Sequence, residues 1–242
     1  MRLPALALLL LASGTAAAER ALHFSIVESW AMPLIRIENG KATGGIIHDM
    51  ILSLARQVGR EADLQVMPRN RVQRAMEEGL VDVRCYLSPR WISQPGANYR
   101  WSVPLFMQRD LLVGTSAQDK PVEPESLEPQ IIGVVLGYRY KRLDPLFERG
   151  TLQRDDARTQ ELVLNKLLAG RYRYAISSQF SLDWFNRRLA PAEQLRSVAQ
   201  LAEEPIACLV HDTPDVPAQA LLDTLQRMKA SGEIEAIIAR YR

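Results

Sequence analysis

Apolar residues recur along this chain with two different periods, and their alternation predicts an α/β protein. Leu22 to Val27 alternates polar and apolar positions, as a half-buried strand does. Ile47, Met50, Ile51, Leu54 and Val58 then fall at helical spacing, in a helix opened by Gly44-Gly45. Leu64 to Met67 predicts a second strand, and Val72, Ala75 and Met76 the inner face of a helix closed by Gly79. Val81 to Leu87 is β-branched and apolar, a strand that Ser88-Pro89 breaks because proline has no N–H for the ladder. Leu105 to Val113 reads as a long extended segment, and the Pro- and Glu-rich stretch Gln118 to Pro129 as surface loop.

A second set follows. Ile131 to Leu136 predicts a strand ended by Gly137, with a helix starting at Tyr138-Arg139-Tyr140 and stopping near Gly150. Thr159 to Leu168 predicts a helix with Leu164, Leu167 and Leu168 on one side and Gly170 as its cap. Arg173 to Ser177 is a short strand, Leu182 to Leu189 a helix, and Pro205 to Val210 a buried strand placed to return to the first set. The final helical region, Pro217 to Tyr241, is interrupted at Ser231-Gly232.

The predicted elements place eight residues of useful chemistry just beyond strand ends: Trp30, Arg69, Arg71, Arg90, Trp91, Tyr138, Arg139 and Ser178. In open α/β sheets ligands bind outside that edge. Arginine offers a rigid fork of donors for a carboxylate or phosphate, and the aromatic rings offer flat apolar walls.

Charge and composition narrow the function. A net charge of +2 over 242 residues gives no concentrated basic face for a nucleic acid. Arg2, the apolar run Leu3 to Ala12 and Ala16-Ala17-Ala18 form a cleavable export signal over residues 1–18, too short to remain as an anchor. In an oxidising compartment the two cysteines, Cys85 and Cys208, either pair or stay as buried thiols. The three histidines are scattered and neither cysteine belongs to a ligand cluster, so no metal site is expected. No P-loop, dinucleotide fingerprint or Gly-x-Ser-x-Gly elbow is present, and no cofactor is expected.

Four segments, in order, carry a resemblance: Gly45-Ile-Ile-His-Asp49, Gly79-Leu-Val-Asp82, Gly133-Val-Val-Leu-Gly137 and Leu225-Gln-Arg-Met-Lys-Ala-Ser-Gly232-Glu-Ile. Together the chain resembles the family 3 extracellular solute-binding proteins, the two-lobed periplasmic receptors of amino-acid-type ABC importers. The resemblance implies an α/β, two-lobed periplasmic-binding-protein fold (type II) with two hinge-crossing strands. Lobe one would comprise residues 19–106 and 204–242, and lobe two residues 109–202. It puts the eight strand-end residues on one cleft, and it puts the returning strand beside the strand of Cys85, so that a Cys85–Cys208 disulfide is expected. The implied protein is a monomer that is not an enzyme, binds a small molecule, and hands it to an ABC permease or a membrane receptor.

The sequence departs from that family at the ligand. The family's Thr-x-x-Arg is matched by Ser88-Pro-Arg90-Trp91, one residue short and nearer Asp82, which leaves open whether Arg90 or Trp91 meets a ligand carboxylate. Ser178 stands where amino-acid binders hold the ammonium with an aspartate, and a hydroxyl cannot pair with an ammonium as a carboxylate does. Tyr138 stands where a threonine is common. Four arginines with no acid among the same positions, and a helix N-terminus near Tyr138, predict a small anion, a carboxylate with an apolar or aromatic body, in preference to a zwitterionic or cationic amino acid. The alternatives are a ligand-sensing module for a membrane receptor and a cyclohexadienyl dehydratase-like enzyme. The second would need an acid/base residue that the strand-end positions do not supply.

Overall fold

The computed structural model describes residues 19–92, 98–118 and 120–242. The expected export signal, 1–18, and most of the loop expected over 94–98 lie outside the described residues. The first unit contains β1 (Leu22–Val27), the hairpin β2 (Arg36–Glu38) and β3 (Lys41–Gly44), α1 (Ile46–Gln57), β4 (Ala62–Met67), α2 (Arg69–Glu77), β5 (Val83–Leu87) and β6 (Tyr99–Trp101). β7 (Phe106–Gly114) leads out of it. The second unit holds β8 (Gln130–Val135), α3 (Asp144–Glu148), β9 (Leu152–Ala157), α4 (Gln160–Leu168), β10 (Tyr174–Ser178) and α5 (Gln179–Asn186). β11 (Arg196–His211) returns, and α6 (Ala218–Ala230) and α7 (Glu233–Ala239) close the chain.

The strands run in the order β4-β1-β5-β11-β7-β10-β8-β9, with β6 also on β11. β1 is parallel to β4 and β5, and β8 is parallel to β9 and β10. β7 and β11 are antiparallel to each other and join the two units: β11 pairs with β7 as far as Ile206 and with β5 and β6 from Ala207 onward. One apolar core lies under the first unit, with Phe24, Ile47, Val83, Leu221 and Ile234. Two smaller cores flank the second sheet, around Val163 and Leu167 on one side and Ile132 and Leu146 on the other. The Gly133-to-Gly137 segment is glycine-led for packing: a Cβ at Gly133 would lie 2.1 Å from the ring of Tyr172. Among the described residues no helix is long and apolar enough to cross a membrane.

Three local expectations are corrected. Tyr138 does not begin a helix: residues 138–140 are irregular, 141–143 form a turn, and α3 starts at Asp144. Tyr140 is buried against β8, where its hydroxyl oxygen accepts from the Val135 N–H at 3.2 Å, and this holds the segment out of helical geometry. Leu168 is exposed, and Val163 joins Leu164 and Leu167 on the buried face of α4. The returning strand starts at Arg196 rather than Pro205, because pairing with β7 rather than apolar content organises its first half.

The expected disulfide is present between Cys85 and Cys208, with Cα atoms 4.0 Å apart. It sits at a bulge. Ala207 faces Leu87 and Leu209 faces Arg84, so two β5 residues oppose Cys208 alone. One of them, Tyr86, takes the left-handed conformation with φ of 63°.

Asp82 ties the chain's first described residues to the approach to β5. It is 1% exposed, accepts the forked guanidinium of Arg20 at 2.7 and 2.9 Å, and accepts the His23 N–H at 2.8 Å. Burial alone would raise its pKa, but the Arg20 fork and the His23 N–H outweigh it and hold the carboxyl below its ordinary value. Its stabilising contribution is therefore present above the ordinary aspartate pKa and is lost as pH falls through the depressed one. Asp82→Ala is expected to cost about 2 kcal/mol at pH 7, by leaving the His23 N–H unpaired and removing the acceptor of the Arg20 fork, and less at pH 3. Urea unfolding at the two pH values checks this; equal costs at both would refute the ionic account.

Candidate functional site

A cavity of about 400 Å³ lies between the two units, over the hinge strands. Its apolar wall comes from the first unit. Trp30, in the loop after β1, packs edge-on to Tyr86 with ring centroids 5.3 Å apart, and Tyr86 meets Trp91 at 6.3 Å. Burial, followed by the charge of Asp110, pushes the Tyr86 hydroxyl well above the ordinary tyrosine pKa. The strained backbone at Tyr86 aims its ring into the cavity, where a regular strand residue would have followed the β5 pleat.

The eight sequence-predicted residues separate into three groups. Trp30, Arg69, Trp91, Tyr138, Arg139 and Ser178 line the cavity. Within this group Arg139 is committed elsewhere, since it pairs with Asp144 at 2.9 Å and Glu148 at 3.1 Å. Ser178 caps α5, where its hydroxyl accepts from the Ser181 N–H at 3.1 Å. Arg90 is exposed and outside the lining: its Nε is 3.7 Å from Glu204 and its carbonyl accepts from Lys141 Nζ at 2.8 Å. Arg71 is exposed on α2 and outside the lining as well. The lobes touch where Tyr138 enters between Ser29 and Arg69. The Arg69 guanidinium lies 4.6 Å from the Tyr138 ring centre, and Ser29 Oγ is 3.4 Å from its hydroxyl. With no helix starting at Tyr138, no helix dipole adds positive charge there.

The principal cation of the cavity is one that strand-end reasoning missed. Arg84 lies inside β5, is 8% exposed and lines the cavity. Its Nη1 reaches only the sulfur of Met76, at 3.3 Å, and its Nε has no partner. Burial and then the charge of Arg69 pull its pKa down to about 10, so it is still charged at neutral pH. Among the described residues neither Arg84 nor Arg69 forms an ion pair. The signal in the sequence was an arginine at the centre of an apolar strand, a position that charged side chains take only when something pairs with them.

The second missed group is acidic. Gln108 and Asp110 on β7 face Glu204 and Ala202 on β11, and all four line the cavity floor. Gln108 Nε2 donates to Asp110 at 3.0 Å, and Glu204 accepts from the buried Ser88 hydroxyl at 3.0 Å. Burial, with the nearby Glu204 charge adding, pushes the Asp110 pKa up to about 6. The cavity is thus not acid-free: Arg69 and Arg84 line it without an ion pair among the described residues, Arg139 and Arg142 line it already paired with acids, Lys141 lies beside them, and Asp110 and Glu204 at the hinge and Asp144 supply negative charge. Among the described residues no three His, Cys, Asp or Glu side chains converge as metal ligands.

No protein-family model and no curated protein matches the sequence. Solved structures do. The chain is similar to an ancestral arginine-binding protein bound to arginine, at 17% identity and a TM-score of 0.75 over 93% of this chain and 99% of that one. It is similar to the GluR0 ligand-binding core in complex with L-glutamate, at 14% identity and a TM-score of 0.75, again over 93% and 99%. A histidine kinase sensor domain with similarity to periplasmic binding proteins matches at 19% identity and a TM-score of 0.72, over 93% and 96%. The chain thus has the α/β, two-lobed periplasmic-binding-protein fold, with β7 and β11 as the strands that cross between lobes.

Proposed function

We propose that this protein is an exported, monomeric binding protein, not an enzyme, that clamps a small carboxylate between its lobes. The observation that carries this reading is Arg84, a buried guanidinium with an unpaired Nε in the interlobe cavity. A buried charge without a partner is costly, and a ligand carboxylate would supply it with charge-assisted hydrogen bonds. Arg69 adds a second positive charge, and Trp30, Tyr86 and Trp91 offer a wall for an apolar or aromatic body. Lobe one is 19–106 with 204–242 and lobe two is 109–202, a division supported by the apolar cores, of which the first takes in only Phe180 from the second range. Residues 1–18 serve as the cleaved signal for a periplasmic location. The ligand is delivered to the permease of an ABC-type importer. Sensing for a membrane receptor is the second reading, favoured by the likeness to the histidine kinase sensor domain.

Thermal shift with charged and neutral ligands of one shape tests the carboxylate. Phenylacetate and hexanoate should raise Tm, by up to about 2.7 kcal/mol of linkage at a hundred times Kd, whereas phenylacetamide and hexanamide should not. Equal shifts from acid and amide would sink the reading. Stimulation of a reconstituted importer's ATPase by the loaded protein favours delivery over sensing.

A further inference from the structure

The acceptors at the hinge are not used by the carboxylate reading. Gln108 is 6% exposed, and its Oε1 lies buried in the cavity lining with no partner. Its amide nitrogen is spent on Asp110, so the orphan oxygen cannot be relieved by turning the amide over without setting two oxygens against each other. Asp110 forms no ion pair among the described residues, and the charge of Glu204, another carboxylate, bears on it. Three acceptors and one uncompensated negative charge thus face the same cavity as Arg84. A buried cluster of that kind lacks a donor that carries positive charge.

The strand register shows how far apart the two ends are. Arg84 sits opposite Leu209 of β11, and Asp110 sits opposite Ala202 of the same strand. Roughly 20 Å of extended chain separates those two anchor points. The bend of β11 and the reach of the side chains shorten the gap, yet among the described residues no hydrogen bond or ion pair joins Arg84 to either hinge acid. In an α-amino acid the ammonium and carboxylate share one carbon, so the molecule cannot engage both ends at once. The rings of Trp30 and Tyr86 line the same cavity.

We infer that the cleft takes an elongated bifunctional ligand, with an acid group on Arg84 and Arg69 and a cationic amine, at the far end of an apolar body, on Asp110 and Gln108. This rests on the carboxylate reading and adds the second group and its distance from the first. Glu204 adds negative charge beside them, with its Oε2 already accepting from the Ser88 hydroxyl.

Three six-carbon acids test it by isothermal titration: hexanoate, 6-aminohexanoate and norleucine. At pH 7.5 the parent protein should bind 6-aminohexanoate at least about tenfold more tightly than hexanoate or norleucine, the yield of one partly desolvated charge pair. Asp110→Asn should cut that advantage to about twofold, and Gln108→Met should reduce it as well, so the result does not hang on one variant's folding. The advantage should also shrink at pH 5 in the unmutated protein, where Asp110 has taken up its proton. Norleucine binding as tightly as 6-aminohexanoate, or an advantage that survives both variants, overturns the inference. If hexanoate and 6-aminohexanoate bind equally, the second subsite falls and the carboxylate reading stands. If none of the three binds, both fall.

Discussion

Replacing both cysteines, Cys85→Ala with Cys208→Ala, should lower the stability of the protein by about 4–5 kcal/mol. The bond closes a loop spanning 123 residues of sequence, and a cross-link of that reach removes that much freedom from the unfolded chain in the loop-entropy account. Its placement sharpens the expectation. Cys85 lies between Arg84 and Tyr86 on β5, and Cys208 lies on the stretch of β11 that brings the chain back to the first unit. Both cysteines are almost fully buried, so the alanines also lose packing. The variant should therefore lose ligand affinity along with stability, because Arg84 and Tyr86 are positioned by the bulge that the bond pins. Urea unfolding of the oxidised parent against the double variant measures the first effect, and titration with the best carboxylate measures the second. A midpoint unchanged by the double replacement would show that the sheet holds this junction without help.

Arg84→Met should move stability and binding in opposite directions. The guanidinium is buried, unpaired at Nε and lies near a second arginine, so the unliganded protein bears the cost of the charge without a partner. A methionine fills most of the same space beside Met76 and removes that cost. The unliganded variant should gain about 1–2 kcal/mol, a rise of about 3–6 °C in Tm for a protein of this size. Carboxylate affinity should fall by about a hundredfold or more, the usual loss when one partner of a desolvated charge pair is cut away. Thermal shift with and without phenylacetate reads both effects on one sample. A drop in unliganded Tm would instead make Arg84 part of the architecture, and retained carboxylate affinity would remove it from the site.

The sequence alone determined the α/β class and nearly every element. These are written in local periodicity and in turn residues. The stripe Ile47-Met50-Ile51-Leu54 forms a helix because one face must be buried, and Gly79, Gly170 and Gly232 mark ends that need positive φ. Strand β9 was missed for the same reason reversed: Leu152 to Ala157 is polar through its middle, and an edge strand held by pairing with β8 needs no apolar alternation. The first half of β11 escaped notice likewise.

The site was decided by tertiary structure. Residues just past strand ends were legible as candidates, and six of the eight line the cavity, because a chain leaving a sheet must cross its edge. What no local pattern carries is which side chains are already spent. Arg139 looks free in the sequence and is paired with Asp144 and Glu148, while Arg90 has moved out toward Glu204 and Lys141. Arg84 reads as one polar letter in an apolar strand, yet the fold buries it without an ion pair among the described residues. Gln108 and Asp110 read as part of a polar run with Arg109, until the pairing of β7 with β11 turns them inward and leaves Arg109 to pair with Glu203 on the other face. Burial and pairing depend on what the rest of the chain brings alongside, and that information arises only when the two units close on each other.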